Sequence, residues 1–431
     1  MQNTQIDSDY LAKRQLKKGT AGWLLLAGLG VSYVISGDFA GWNFGIGQAG
    51  WGGFAIAAVL MAIMYFTLVL SLAEMSAAIP AFNGPWVYAA FYLIFIGVHL
   101  AGVGEALKAM MVISGLAVFA IIATGVALIG SFDVANLFDM AVTDAAGAST
   151  ALPLGWYGVW AALPFAMWLF LAVEGVPLAA EEAKNPAKDV PKGIIGAMTF
   201  LLFTALIVVV LTAGSAGASA TGQSAVPLVD ALNANGNSTL ATVVNVLGLA
   251  GLVASFFSII YGYSRLVFAL SRAGYLPRSL SLTTSRKVPA RALIVPGVFG
   301  FLVSLSGEGD LILAMAVVGA TVSYALMALS HILLRVRQPN MPRPYKTPGG
   351  VVTSGIALAL SLVALTGVYA FDPRAFNYTL ILFVIGGAYY FFYSKHHLVA
   401  KTAEEEFDML AEAESALEAD QPDAGVAISR A

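Results

Sequence analysis

Two carboxylates sit where an apolar chain tolerates them least. Residues 166–185 read AMWLFLAVEGVPLAAEEAKN, an apolar stretch interrupted by Glu174-Gly175-Val176-Pro177. A second interruption, Ile35-Ser36-Gly37-Asp38-Phe39-Ala40-Gly41, lies in the first apolar segment. Gly and Pro weaken or break a helix, and a carboxylate deep in lipid costs about 2.5–3.5 kcal/mol. Charges kept at broken helices are how many secondary transporters build a midplane binding site. Beside Asp38, the small residues Ser36, Gly37 and Gly41 leave backbone amides and carbonyls free for a ligand, and the negative charge favours a cation. With no functional role, Asp38 would be a helix-end cap or a solvated interface residue. Glu174 is the stronger candidate. Burial disfavours the charged form of a carboxyl, which suits either ammonium binding or proton coupling; the alternative is a neutral, hydrogen-bonded structural acid. Gly175 belongs to the same interruption. Trp168, between one and two turns earlier, faces the same cavity and adds cation–π attraction of ~0.5–2 kcal/mol, or else simply packs.

The elements that must hold these residues are membrane helices. The chain has 431 residues, 59% hydrophobic and 11% charged, against about 25% charged in soluble domains. Apolar runs long enough to span a bilayer recur from Trp23 to about Leu398, so the fold class is an all-α polytopic membrane protein. The absence of cysteine excludes disulfides, thiolate metal sites and cysteine nucleophiles. With a net charge of −3, no nucleic-acid partner is expected; the lipid bilayer is. Residues 1–19 read as a basic cytoplasmic tail leading into an uncleaved first helix, 20–398 as the transmembrane domain, and 399–431 as an acidic cytoplasmic tail.

Basic loops mark the cytoplasmic side: the N-terminus, Lys184–Lys192, Arg265–Arg291, Arg335–Lys346 and Lys395–Lys401. Loops poor in Lys and Arg alternate with them from Trp156 onward, giving spans near 156–182, 193–213, 239–270, 291–306, 310–335, 350–371 and 375–394. The front half breaks this alternation. Spans near 21–48, 51–79, 84–103 and 109–130 bring the total to about eleven, an odd number that puts the two tails on opposite sides. Either one segment is re-entrant or a helix of about 20 residues is absent. The junction Ile79-Pro80-Ala81-Phe82-Asn83-Gly84-Pro85-Trp86, which enters a new apolar run with almost no loop, fits the second.

Other signals carry less. Asn185-Pro186-Ala187 occurs once, in a Lys-rich loop, and does not indicate a water channel. His99, His331, His396 and His397 have no metal-ligand spacing, so no metal is expected, and His99 and His331 read as packed or interfacial. Asn237-Ser238-Thr239 is a glycosylation sequon on an outside loop. No GxSxG, HExxH or phosphate-binding loop is present, so neither an enzyme nor a cofactor is expected. Glu181-Glu182 reads as solvated charge at a helix end.

Three strings go further: Ala179-Ala180-Glu181-Glu182-Ala183-Lys184-Asn185-Pro186, Tyr263 to Pro277 (YSRLVFALSRAGYLP) and Arg343-Pro344-Tyr345-Lys346-Thr347-Pro348-Gly349-Gly350. Together they resemble the amino acid–polyamine–organocation transporters over about residues 20–398. Ile35–Gly45, Phe170–Pro186 and Gly104-Glu105-Ala106-Leu107-Lys108 are most similar to the ethanolamine permeases. The resemblance implies two inverted repeats of five helices, with the first and sixth unwound at the site. It also implies that the third family helix, due after Pro80, is missing, in agreement with the loop charges. Ser36 and Gly37 match the small-residue break that holds a substrate carboxylate in amino acid transporters. Asp38 replaces an apolar residue there and suits a simple amine instead. Glu174 matches the acidic position of the sixth-helix break, and Trp168 a gating position. Gly115, or Ser114 beside it, stands where many proton-coupled relatives carry a fifth-helix lysine.

The expectation is a cytoplasmic-membrane permease that imports ethanolamine by alternating access. Asp38 and Glu174 hold the ammonium, Ser36 and Gly37 the hydroxyl end, Trp168 closes the pocket, Gly175 is a further substrate-binding residue, and Glu174 is the candidate H+ carrier. An amino acid or polyamine transporter, or a receptor that binds the amine without moving it, are the alternatives. Uniport, proton symport and exchange all remain compatible with these residues.

Overall fold

The computed structural model describes residues 8–78, 103–306 and 308–400, with isolated positions between 405 and 416. The described residues form helices throughout; strand-like pairing is confined to one parallel bridge, Ala21 with Ala183. Seven helices are long and apolar enough to cross a membrane, and Trp23–Phe39 and Ala290–Val303 are shorter apolar ones. Every span expected from the apolar runs is found, except 84–103, which lies outside the described residues together with the Ile79–Trp86 junction and His99.

The principal helices are α1 (Trp23–Phe39), α2 (Phe44–Ala78), α3 (Val103–Leu128), α4 (Gly155–Met167), α5 (Pro186–Ile207), α6 (Ser238–Arg272), α7 (Ala290–Ser304), α8 (Gly309–Arg337), α9 (Val351–Phe371) and α10 (Pro373–Phe392). α2 holds two spans' worth of chain. At Gly50 (φ 70°) the backbone turns, ending the first span and starting the second, and a Cβ there would lie 2.2 Å from the Pro153 ring. Past this turn the chain doubles back, and Phe54 packs on Trp42 with ring centroids 5.9 Å apart.

Both expected breaks exist, each a few residues from where composition alone puts it. α1 stays helical through Ser36, Gly37 and Asp38, and the break falls at Ala40–Asn43 around Gly41 (φ 100°). The sixth span stops at Met167, passes a left-handed Ala172 (φ 79°), and continues as a 3-10 segment, Val173–Glu182, that contains Gly175 and Pro177. Ten residues is long for a 3-10 helix, and non-glycine residues in the left-handed region are uncommon.

α1 is the hub. It is mostly apolar on every face, buried from Leu29 to Phe39 except for half-buried Ser36, and packs on α3, α5, α6 and the 3-10 segment. α1 and α3 run parallel, with Gly28 beside Met111 and Ser32 beside Ser114. At the foot of α1, the amides of Thr20 and Ala21 donate to Glu182 O (2.9 and 3.0 Å), and Lys184 N donates to Ala21 O (2.8 Å). The two tails meet at this same end. Tyr10 and Leu11 pack with Val399, Met409 and Ala413, and the Tyr10 hydroxyl donates to Arg272 O.

Candidate functional site

The two breaks lie face to face because glycines remove the atoms that would keep them apart. A Cβ on Gly37 would sit 2.2 Å from the Trp168 carbonyl oxygen, and one on Gly175 would sit 2.6 Å from the Tyr33 ring. Gly30 of α1 is likewise covered by Val176, 2.8 Å from a built Cβ. Of the expected site residues, Gly37 and Trp168 are thus brought together through backbone, while Gly175 packs on the Tyr33 ring one turn away along α1.

Their acidic neighbours diverge. Asp38 is fully buried, and neither carboxylate oxygen has a hydrogen-bond partner among the described residues. The Thr204 hydroxyl of α5 is within electrostatic reach, but it donates to Leu201 O at 3.1 Å. The Asp38 carbonyl accepts from the Trp42 indole N–H (3.2 Å). Glu174 faces the other way, toward α8. Its Oε1 accepts from the Tyr324 hydroxyl (2.8 Å), which in turn accepts from Tyr65 (3.2 Å), while Oε2 has no partner among the described residues. No hydrogen bond joins Asp38 to Glu174 among the described residues, and each carboxyl keeps at least one oxygen without a partner there. Ser36 is half-buried and its amide donates to Ser255 Oγ (3.2 Å). Trp168, also half-buried, continues α4 by one bond, its N–H donating to Phe165 O (3.2 Å).

A buried carboxylate with no counter-charge is costly in a low dielectric. Asp38 answers that description among the described residues, since no ion pair there involves it. Such a group accepts a cation or a proton. Glu174, already solvated on one oxygen by tyrosine, presents the other.

Glu181 and Glu182 are not solvated helix-end charges. Glu182 is fully buried, paired with Arg265 Nη2 (2.9 Å) and Nε (3.2 Å) and hydrogen-bonded by the Tyr261 hydroxyl. Glu181 pairs with Arg272. Arg265 and Arg272 stand seven residues apart, two turns along one face of α6. Two arginines on one face of an apolar helix demand acidic partners, and that was the available signal.

A second network was not visible in the sequence. Glu74, near the end of α2, accepts from Arg335 (2.7 Å) and Arg343 (2.9 Å) and lies 3.1 Å from His331 Nε2. It also accepts from the Thr347 amide (2.6 Å), clamping the Arg343–Gly350 loop onto α2. His331 is packed as expected, with Nδ1 2.6 Å from Ser354 Oγ.

Residues 15–388 match the family described as amino acid permease. The branched-chain amino acid permease BcaP of Bacillus subtilis is 32% identical over 215 residues, covering 49% of this chain and 46% of that protein. BcaP of Lactococcus lactis is 27% identical over 234 residues, covering 54% and 50%. The aromatic amino acid transport protein AroP of Salmonella typhimurium is 26% identical over 376 residues, covering 80% and 79%. The chain spans about half the length of the BcaP relatives it matches. With the match running through both breaks and the loops between them, the chain belongs to the amino acid permease family of the amino acid–polyamine–organocation transporters.

Proposed function

We propose that the chain is a secondary permease of the cytoplasmic membrane that moves a small amine, ethanolamine first among candidates, by alternating access, with both tails cytoplasmic. The observation that carries this reading is Asp38: buried, acidic, without a counter-charge among the described residues, and one position from the Gly37–Trp168 contact. An ammonium supplies the missing charge. A substrate with its own carboxylate would be repelled there, and ethanolamine has none. In this reading Ser36, Gly37 and Gly175 border the hydroxyl end and Trp168 covers the pocket. Glu174, with its free Oε2, carries the coupling H+ and leaves the ammonium to Asp38.

Uptake of radiolabelled ethanolamine into proteoliposomes tests the proposal. Asp38→Asn removes a charge-assisted contact worth ~1.5–3 kcal/mol, so uptake is expected to fall about 10- to 100-fold with expression little changed. Unchanged uptake would remove Asp38 from the site. If Glu174 carries a symported proton, parental uptake rises as external pH falls, and Glu174→Gln flattens that profile. A profile that survives the substitution assigns the proton elsewhere.

A second reading, a neutral amino acid permease, is favoured by the relatives named for branched-chain and aromatic amino acids. It requires Asp38 to be protonated when the substrate binds. Uptake of labelled leucine or phenylalanine that excess ethanolamine does not compete would establish it. Binding of ethanolamine without flux would instead point to a receptor.

A further inference from the structure

α6 places a hydroxyl inside the backbone of α1. Ser255 Oγ donates to Ser32 O (2.8 Å) and accepts from Ser36 N (3.2 Å). Ser32 and Ser36 are four residues apart, so these are the acceptor and the donor of one rung of the α-helix. A side chain inserted into that ladder is one of the few recognised causes of a helix bend. Ser255 is buried, and so are Ser32 and its partner Ser114 on α3, whose hydroxyls bond each other.

At and beyond this rung, groups outside the helix add to the ladder and then take over from it after Phe39. Gly37 rests on the Trp168 carbonyl, the Asp38 carbonyl takes the Trp42 indole, and Gly41 N donates to Asn43 Oδ1 (3.1 Å). Asn43 in turn donates to Thr221 O and Ser224 O, both at 2.8 Å. The turn that carries Asp38 is therefore fastened by exchangeable side-chain bonds, and Ser255 marks where that begins.

We propose that Ser255 is a positioning residue: its hydroxyl loosens the Ser32–Ser36 rung so that the turn Ser36–Phe39, with Asp38, tilts between two orientations in the transport cycle. The proposal rests on the reading of the chain as a permease whose site includes Asp38. Removing the hydroxyl leaves Ser36 N and Ser32 O only each other as partners across this rung, and the turn stiffens. Substrate still binds, because Asp38 is untouched, but reorientation slows.

The test uses the full chain with Ser255→Ala and Ser255→Thr. In proteoliposomes, Ser255→Ala is expected to lower the maximal ethanolamine exchange rate about tenfold with KM within about twofold, and Ser255→Thr, which keeps the hydroxyl, to restore it. Hydrogen exchange read by mass spectrometry on peptides spanning Tyr33–Ala40 is expected to slow about tenfold in Ser255→Ala and not in Ser255→Thr. Should Ser255→Ala fail to fold, Ser255→Cys, nearly isosteric and a weak donor, is expected to give the same slowing. Parental exchange of the α1 amides in a folded Ala or Cys variant overturns the proposal. A parent that moves neither ethanolamine nor an amino acid overturns the permease reading instead, and the amide measurement still decides the role of Ser255.

Discussion

Gly37→Ala is expected to abolish transport, although it adds a single methyl group. The new Cβ would lie 2.2 Å from the Trp168 carbonyl oxygen and 3.1 Å from its carbon. Both are backbone atoms, so no rotamer change relieves the overlap. α1 must move away from the break in the sixth span. Overpacking of this kind costs ~1–3 kcal/mol in stability, and a misplacement of about 1 Å at a binding constellation costs on the order of 100-fold in function. Uptake should therefore fall much further than the thermal stability of the detergent-solubilised protein. Gly115→Ala on α3 is the control, since no described residue outside its own helix turn lies within 4 Å of its built Cβ. Parental uptake by Gly37→Ala would mean that the two breaks need not touch for transport.

The second large effect belongs to Arg265. It is 2% exposed and supplies the counter-charge to a Glu182 with no exposure at all. Arg265→Met strands that carboxylate, and losing one partner of a buried pair costs about 3–5 kcal/mol. The double variant Arg265→Met/Glu182→Gln retains a hydrogen bond to Tyr261 and removes the stranded charge, so most of the loss should return. Melting of the single and double variants in detergent measures the coupling directly. Losses that simply add would show that Glu182 does not depend on Arg265.

Much of this was legible in the residues, for reasons that also set the limits. Gly, Pro and an acid in an apolar run announce a broken span, and both breaks are present. Which residues leave the helix was not legible. Ser36, Gly37 and Asp38 read as the break, yet stay helical because the Trp168 carbonyl occupies the space beside Gly37. The tyrosines around Glu174 come from α2 and α8, and no local pattern links Tyr65 to Tyr324. Ser255 looks like any small residue of an apolar helix until its neighbour is known. Glu181 and Glu182 looked solvated because a basic loop follows them, whereas the arginines that bury them lie more than 80 positions away.

The bonds at the foot of α1 have one more implication. Thr20, Ala21, Glu182 and Lys184 are joined there by three amide-to-carbonyl bonds, and the Thr20 hydroxyl adds a fourth to Glu182 O (3.2 Å). The backbone part of such a hinge-pin does not depend on side-chain identity; among single replacements only proline deletes an amide donor from it. The lower halves of both interrupted spans are riveted into one lever, and at Lys184, whose part in the rivet is its amide alone, sequence drift can change the lever's surface without unfastening it.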